Sequence, residues 1–346
     1  MAFVAAAARA LAVRPDYLYG LAEPSSVTEP HAVTAGIIEL RGAFDAYDDP
    51  RPEGNALSLA LVVRRLRDAA QQVSRLRYAE AGRELPNLLH HLYVLDEPGV
   101  AGEPTRAALH DAYRLAATVA GRFGQSDLAA VASERHRRLA PETGDPLRVA
   151  ISAYHRSTHH LRHGSYDAGS RILRRAFEAL DATGAGRAVA VQLHVRSAVL
   201  AARAARSDVA DEHIDAARAL LAEHSVPASP YYNINADPLN VDVHWCALPV
   251  ENYDGAESLR RAGRVRVADP AQPERVGHHH VDMARAWLLQ GDREQVLANL
   301  DAARRIAPHN TRHHPAVRET VLALAESDRR STGSLAGFAR WAGIDM

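Results

Sequence analysis

The sequence predicts an all-α protein, an α-solenoid of stacked antiparallel helix pairs, and three observations support this prediction. Of the 346 residues, 47% are hydrophobic but only 5% are aromatic, which suits close packing of Ala, Leu and Val between helices better than a β-sandwich. Apolar residues recur at helical spacing, and five similar Ala/Leu-rich segments follow one another along the chain. Because each pair buries its apolar stripe only against the next pair, we expect one continuous interior from about Leu57 onward.

The five recurring segments share a Gly-like turn, a polar residue and an Ala/Leu helix. We place their turns at Gly124, Gly164, Ser207, Tyr253 and Gly291, at intervals of 38 to 46 residues. The segments resemble tetratricopeptide repeats, although the intervals exceed the ~34 residues of the standard unit. The sequence therefore predicts a tetratricopeptide-like repeat domain with longer helices or loops.

The other elements follow from breaks in the apolar pattern. The segment from Leu57 to Leu92 predicts a further helix pair with its turn near Arg77, and Pro-rich breaks limit it on both sides. The segment from His224 to Pro238 predicts a long connection. A closing helix that covers the last repeat is predicted by three apolar residues at i, i+3 and i+6: Leu335, Phe338 and Trp341.

Charge and cysteine content argue against several classes of protein. The 41 basic and 42 acidic residues give a net charge of −1, which provides no overall field for nucleic acid, so a DNA contact would need a local patch. Cys246 is the only cysteine, so the chain forms no internal disulfide and a reducing compartment is the simpler assumption. The N-terminus lacks the basic region of a signal peptide, and no apolar run approaches the ~18 residues of a membrane span. We therefore expect a cytoplasmic protein that does not enter a membrane.

Two parts of the chain resemble a family of bacterial regulators. The segment from Phe3 to Leu21 is a short amphipathic helix followed by Val-x-Pro-x-x-Leu-x-Gly, similar to the closing helix of a Cro/repressor-type helix-turn-helix domain. Residues 123–150, 237–265 and 274–319 resemble the C-terminal portion of actinobacterial Cro/repressor (XRE)-type transcriptional regulators with a tetratricopeptide sensor domain. Three residues replace the more usual Gly, Thr and Gly of that family: Asp237, Leu239 and Tyr253.

The resemblance implies two domains. Residues 1–22 would be the remnant of a helix-turn-helix domain, its closing helix only, and residues 33–346 the tetratricopeptide-like domain with its C-terminal capping helix. The recognition helix of such a DNA-reading domain lies upstream of the closing helix, so about four helices would be missing. Either the chain starts late relative to the gene product, or it has lost direct DNA binding. Alternatively, the Ala-rich N-terminal helix caps the first repeat.

Polar residues on the first helices of the pairs form the candidate ligand site, because these helices line the concave surface of a stacked array. Asn and Arg side chains suit the backbone amides or the carboxylate of an extended peptide, whereas a polar stripe is otherwise a hydrated helix face. Tyr154 belongs instead to the neighbouring apolar stripe. Asn240 and His244 also match the family's Asn-Val-x-x-x-His segment. The nine candidate residues are Arg148, Ser152, His155, His159, Gln192, Arg196, Arg203, Asn240 and His244.

Other candidate chemistry has weaker support. His155, His159 and His163 at i, i+4 and i+8 could chelate a divalent ion, but a His-Glu-x-x-His motif is absent and a hydrated or groove-lining face is the simpler interpretation. Cys246, beside Trp245 in an apolar helix, is expected to be buried. The sequence contains no nucleophile elbow, phosphate-binding loop or dinucleotide fingerprint. We therefore expect no catalytic residue, no bound metal and no cofactor.

Together, these features predict a transcriptional regulator. Its helical-repeat body would bind a peptide, a small ligand or a protein partner and control a helix-turn-helix domain that is largely missing from this chain. DNA would be contacted only through that missing domain, and a homodimer would position two DNA-reading heads. The alternative is a stand-alone protein–protein interaction scaffold that does not bind DNA.

Overall fold

The computed structural model describes residues 36–97, 102–223, 236–269, 271–327 and 333–344. Within these ranges the chain forms sixteen α-helices and two short 3-10 helices and contains no strand, which confirms the predicted all-α class. The helix-turn-helix remnant predicted at residues 1–22 and most of the long connection predicted at 224–238 lie outside the described residues. None of the helices in the described ranges is both long and apolar enough to cross a lipid bilayer.

We number the helices in chain order. They are α1 (Ile37–Asp45), α2 (Leu59–Ser74), α3 (Tyr78–Leu95), α4 (Glu103–Arg122), α5 (Ser126–Leu139), α6 (Pro146–Arg162), α7 (Tyr166–Phe177), α8 (Gly184–Arg203), α9 (Ser207–Glu223), α10 (Pro238–Ala247), α11 (Gly255–Ala262), α12 (Pro273–Gln290), α13 (Arg293–Ile306), α14 (Pro308–Arg312), α15 (Pro315–Ser327) and α16 (Gly333–Ala342). The 3-10 helices η1 (Ala140–Thr143) and η2 (Leu248–Asn252) continue α5 and α10.

Six helix pairs share one backbone turn. In each pair, a single residue between the two helices adopts a left-handed φ of 59 to 77°. The next residue donates its backbone N–H to the carbonyl five positions earlier, at 2.8 to 3.2 Å, as in a Schellman motif, and the second helix begins one residue later. The six left-handed residues are Leu76, Gly124, Gly164, Ala205, Tyr253 and Gly291.

The predicted turns agree with this motif except at one position. Gly124, Gly164, Tyr253 and Gly291 are confirmed, and Leu76 lies next to the turn predicted near Arg77. The placement at Ser207 is wrong, because Ala205 takes the left-handed conformation and Ser207 begins α9. A left-handed Ala carries no sequence signal, since an L-residue other than Gly adopts this conformation at a cost of about 1–2 kcal/mol. The hydrogen bond from Arg206 N to Ala201 O, 2.9 Å long, helps to offset that cost.

Side-chain caps fix where the helices of the candidate site begin. Asp145 accepts from the backbone N–H of Leu147 at the start of α6, Thr183 caps α8, and Asp237 caps α10. Such caps each stabilise a helix by roughly 1 kcal/mol and set its rotation at the first turn. The polar faces of α6, α8 and α10 are thereby held in register.

Among the described residues, the buried apolar side chains group into four clusters and not into the one continuous interior that we expected. One cluster spans α1 to α5, two lie on α6 to α8 and on α8 to η2, and the last spans α12 to α16. Buried polar side chains of α4, α5 and α6 lie between the first cluster and the second: His110, His136, Ser152 and His155. Leu335 and Phe338 of α16 are buried in the last cluster, which confirms the predicted closing helix.

The helix array returns on itself. Among the first helices of the pairs, α6 contacts α8, α8 contacts α10, and α10 contacts α12. At the ends, the Tyr78 hydroxyl donates to Asn310 Oδ1 at 2.9 Å, and Arg122 Nη2 lies 2.6 Å from Glu274 Oε1. His309 Nε2 donates to the carbonyl of Arg122 at 2.8 Å. These contacts join α3 and α4 to α12 and α14, so the path of the helices is closed.

Candidate functional site

The polar faces of α6 and α8 meet at the hydroxyl of Tyr154. Gln192 Nε2 donates to this oxygen at 2.7 Å, and Arg196 Nη2, one turn further along α8, donates at 3.0 Å. The Arg196 guanidinium also lies 4.7 Å from the centroid of the Tyr154 ring. Because the phenolic oxygen already accepts two hydrogen bonds, its own O–H is left to donate to a third group.

The hydrogen bonds continue from α8 through α10 to α12 in one direction. Asn240 Nδ2 donates to Gln192 Oε1 at 3.1 Å, and Arg275 Nη1 donates to Asn240 Oδ1 at 3.3 Å. Every donor in this series points towards Tyr154, so the guanidinium of Arg275 polarises the whole chain of hydrogen bonds. We call Tyr154, Gln192, Arg196, Asn240 and Arg275 the inner network.

Positive charge dominates around the inner network. Burial alone would raise the pKa of Tyr154, but the positive charge of Arg196 and the two donated hydrogen bonds outweigh burial and lower that pKa. Arg275 lies 3.3 Å from Glu274, which also pairs with Arg122. Arg196 has no carboxylate partner in the described part of the chain. The inner network therefore favours an anionic or acceptor-rich group.

Two histidines lie beside the inner network. Burial, with the nearby charge of Arg275, lowers the pKa of His244 to about 3 and that of His278 to about 4, so both imidazoles are neutral at pH 7. Of the His278 side chain, 36% remains accessible to solvent. His244 Nδ1 donates to the carbonyl of Asn240, which fixes its ring beside the network.

Arg203, two turns beyond Arg196 on α8, belongs to a different group of residues. Its Nε donates to Glu251 Oε2 at 2.9 Å, and Arg285 Nη1 donates to Glu251 Oε1 at 2.9 Å and to Asp282 Oδ1 at 3.2 Å. Burial alone would raise the pKa of Glu251, but the two guanidinium groups outweigh it and lower the pKa to about 2. We call Arg203, Glu251, Asp282 and Arg285 the ion-pair cluster. Two positive and two negative side chains compensate each other there and link α8, η2 and α12.

Arg148 likewise has a structural contact. The two N–H groups of its Nη1 are shared among three acceptors: Asp111 Oδ1 at 2.6 Å, His110 Nδ1 at 3.0 Å and the carbonyl of Ala107 at 3.1 Å. Its side chain is almost fully buried and ties the start of α6 to α4. The position of Arg148 therefore differs from the one expected for a groove-lining residue.

Ser152, His155 and His159 line a cleft of about 460 Å³ between α4, α5 and α6, which we call the histidine cleft. His155 is buried, whereas His159 is exposed. The remaining lining residues are Arg114, Ala117, Ala130, Ser133, Glu134, His136, Arg137, Arg156 and His160. A volume of this size lies within the range of small-molecule sites.

The nine predicted residues thus fall into three groups. Gln192, Arg196 and Asn240 meet in the inner network with His244 beside them; Ser152, His155 and His159 share the histidine cleft; Arg148 and Arg203 are held in separate ion pairs. Sequence reasoning missed Tyr154 and Arg275. The signal for Tyr154 was its place in an apolar stripe, because a buried Tyr hydroxyl generally needs a hydrogen-bond partner. Arg275 carried no such signal, since its role depends on an Asn from another helix.

The other candidates are placed as follows. Within the described ranges, no group of three His, Cys, Asp or Glu side chains is arranged to hold a metal ion. His163 terminates α6 and does not line the histidine cleft with His155 and His159. Cys246 is fully buried, and burial raises the pKa of its thiol to about 12, as expected for a small apolar residue of the core.

Comparison of the chain with known protein families, with curated protein sequences and with solved structures finds no match in any of the three. The resemblance to XRE-type regulators therefore rests on the sequence segments quoted above.

Proposed function

We propose that this chain is the ligand-sensing, tetratricopeptide-like part of a cytoplasmic bacterial transcriptional regulator, and that its effector binds at the inner network. One observation supports the binding site above all others. Side chains of α8, α10 and α12 form a series of hydrogen bonds that ends at the Tyr154 hydroxyl of α6, and among the described residues neither the Tyr154 O–H has an acceptor nor Arg196 a carboxylate partner. Polar groups in such surroundings are stabilised when a partner completes their hydrogen bonds.

The repeated turn supports the proposed solenoid. Six helix pairs use the same Schellman motif, and the first helices α6, α8, α10 and α12 contact one another in succession. Stacked pairs of this kind present their first helices on the inner surface, where repeat proteins bind their ligands. We therefore assign the inner network to the concave surface of a tetratricopeptide-like array whose two ends meet.

The donors of the inner network define what the effector must present. Tyr154, Arg196 and Arg275 offer O–H and N–H groups, so the complementary groups are carbonyl or carboxylate oxygens. A peptide offers both kinds of oxygen along its backbone and at its C-terminus. A small molecule or a protein segment with the same oxygens would satisfy the network equally well.

Regulation would follow from the closed path of the helices. A ligand that bridges α6, α8, α10 and α12 changes their mutual angles, and the contacts of Arg122 with Glu274 and of Tyr78 with Asn310 transmit that change to the two ends. A helix-turn-helix domain joined to this chain, or a homodimer that carries two such domains, would then be repositioned on DNA.

The binding site is tested by native mass spectrometry of the chain purified from bacterial extract under gentle conditions. Our proposal predicts a non-covalent mass on the wild-type chain that is reduced at least tenfold in occupancy in Arg196→Gln. Arg174→Gln serves as the matched control, because Arg174 is an exposed Arg on α7, outside the inner network. Equal occupancy in both variants would contradict the assignment of the site.

The coding DNA provides a separate test of the regulatory role. An in-frame stretch upstream of Met1 that encodes DNA-reading helices supports the regulator. A stop codon directly upstream supports the stand-alone interaction scaffold instead. The binding experiment tests the assigned site in either case.

A further inference from the structure

We propose that the histidine cleft is a second binding site, distinct from the inner network, and that it takes a small organic anion whose carboxylate or phosphate oxygen accepts a hydrogen bond from His136 Nε2. The inference goes beyond the proposed function, because the cleft lies between α4, α5 and α6 and includes neither Arg196 nor Asn240.

A series of hydrogen bonds fixes which nitrogen of His136 carries the proton. Arg148 Nη1 lies 3.0 Å from His110 Nδ1, and because a guanidinium only donates, His110 Nδ1 is the acceptor. Asp111 Oδ1 lies 3.8 Å from the same nitrogen, which is too far for a hydrogen bond. The proton of His110 is therefore on Nε2, which donates to Ser152 Oγ at 3.2 Å.

The same reasoning extends from Ser152 to His136. Ser152 Oγ accepts from His110 Nε2, and the only other described group in hydrogen-bond contact with it is His136 Nδ1, 3.2 Å away, so the Ser152 O–H donates to His136 Nδ1. The rings of His110 and His136 stack with centroids 3.8 Å apart, and burial lowers both pKa values, so both rings are neutral at pH 7. In a neutral ring with Nδ1 as acceptor, the proton is on Nε2.

The donor at the end of this series has no acceptor. His136 Nε2 makes no hydrogen bond to any described residue, and His155 Nε2 is unpartnered as well. Both side chains line the cleft, and both residues are more than nine-tenths buried, with 3% and 8% of their surface exposed. An unsatisfied buried donor destabilises the fold, which makes an acceptor oxygen in the cleft favourable.

The walls of the cleft add positive charge. Arg137 pairs with Glu134 at 2.6 Å, and this neutralises one of the three lining arginines. Arg156 is exposed and has no carboxylate partner in the described ranges. Burial lowers the pKa of His155, and the nearby positive charge of Arg114 lowers it further. Ala117 and Ala130 provide a small apolar wall. The combination suits a compact molecule with one negatively charged end.

The test is isothermal titration calorimetry of the full chain at neutral pH with two probes, benzoate for the carboxylate and inorganic phosphate for the phosphate. We expect one of the two to bind at a single site. The expected loss of affinity is about tenfold or more in His136→Phe, which keeps the stacked ring but removes the donor, and roughly threefold in the exposed variant Arg156→Gln. Arg174→Gln, an exposed change on α7 outside both sites, should bind the same probe unchanged.

Three results would overturn the proposal: binding of neither probe, unchanged affinity in both cleft variants, or an equal loss of affinity in Arg174→Gln. Nitrogen-15 NMR of the imidazole rings provides a second readout. It should show His136 protonated at Nε2 and not at Nδ1, with a shift of the Nε2 signal on addition of the bound probe. The opposite tautomer would contradict the proposed donor even if the Phe variant failed to fold.

Discussion

The inner network and the ion-pair cluster both contain arginines of α8 and α12, but we assign them different roles. The inner network binds a ligand in our proposal, and the ion-pair cluster stabilises the fold. Arg196 and Arg203 are separated by two turns of α8, and Arg275 and Arg285 lie on α12. In the ion-pair cluster, Glu251 of η2 receives both guanidinium groups. In the inner network the acceptor of Arg196 is the neutral hydroxyl of Tyr154 on α6, and no carboxylate of the described residues pairs with Arg196. An inward-facing Arg therefore stabilises the fold where a neighbouring helix supplies a carboxylate, and it is able to bind a ligand where the neighbour supplies a neutral group.

The largest effect is expected from removal of the shared carboxylate in the ion-pair cluster. Glu251→Gln leaves Arg203 without a counter-ion and Arg285 with Asp282 alone, and loss of one partner from a buried pair generally lowers the free energy of unfolding by about 3–5 kcal/mol. Urea denaturation measures the change. Glu134→Gln is the control, because the exposed Glu134–Arg137 pair should contribute no more than about 0.5 kcal/mol. Similar losses in both variants would remove the distinction between the two regions.

The comparison is sharpened by the same substitution made in each region. Arg203→Gln removes one counter-ion of a buried carboxylate, and we expect it to lower the free energy of unfolding by about 2–3 kcal/mol. Arg196→Gln removes a hydrogen bond to Tyr154 and the contact of the guanidinium with the Tyr154 ring, and should lower it by about 1 kcal/mol, while its main effect is on binding. Paired urea and binding measurements would contradict this division if Arg196→Gln were the more destabilising of the two.

Acid should weaken the fold before the carboxylates titrate. Burial lowers the pKa of His244 and His314 to about 3 and that of His278 to about 4, from an ordinary value of 6.5. As the pH falls below 6.5, the unfolded chain binds protons that the folded chain does not, so the free energy of unfolding decreases until the folded pKa values are reached. Denaturation at pH 7.5, 6 and 5 should show a steady loss. Constant stability across this range would mean that these imidazoles are not desolvated.

The smallest effects are expected at the turns, which both regions share. Ala205 and Tyr253 occupy left-handed positions that Gly adopts freely, so Ala205→Gly and Tyr253→Gly should each raise the free energy of unfolding by about 0.5–1 kcal/mol. Gly164→Ala, the matched change in the opposite direction, should lower it by about 1 kcal/mol. Thermal unfolding of the three variants checks the signs. Destabilisation by both Gly substitutions would show that the six turns are not equivalent.

Much of the fold follows from patterns within short segments. Gly at a turn, an apolar period of 3.6 and a closing helix are local properties, and four of the five repeat turns were placed at the correct residue. The error at Ser207 and the division of the apolar interior have different causes. A left-handed Ala such as Ala205 carries no local sequence signal, whereas the burial of His136 depends on its contacts with Ser152 and His110 on other helices.

The sequence predicted which helix faces carry the candidate residues, but not which of these residues contact one another. Helical spacing places Gln192, Arg196 and Arg203 on one inward face, and it gives no means of telling which of them meets a carboxylate. That outcome depends on Glu251 and Asn240, which are separated from α8 by a long connection and another helix. Tyr154 became the centre of the network because it projects from the edge of the apolar stripe, where its ring is buried and its hydroxyl reaches α8.

A crystal structure of the chain with its co-purified effector tests the central claim most directly. Our account predicts an effector oxygen within about 3.2 Å of the Tyr154 hydroxyl and of the Arg196 guanidinium, with Arg203 and Glu251 unchanged. An effector seated on the second helices of the pairs, or on the ion-pair cluster with the inner network empty, would contradict it.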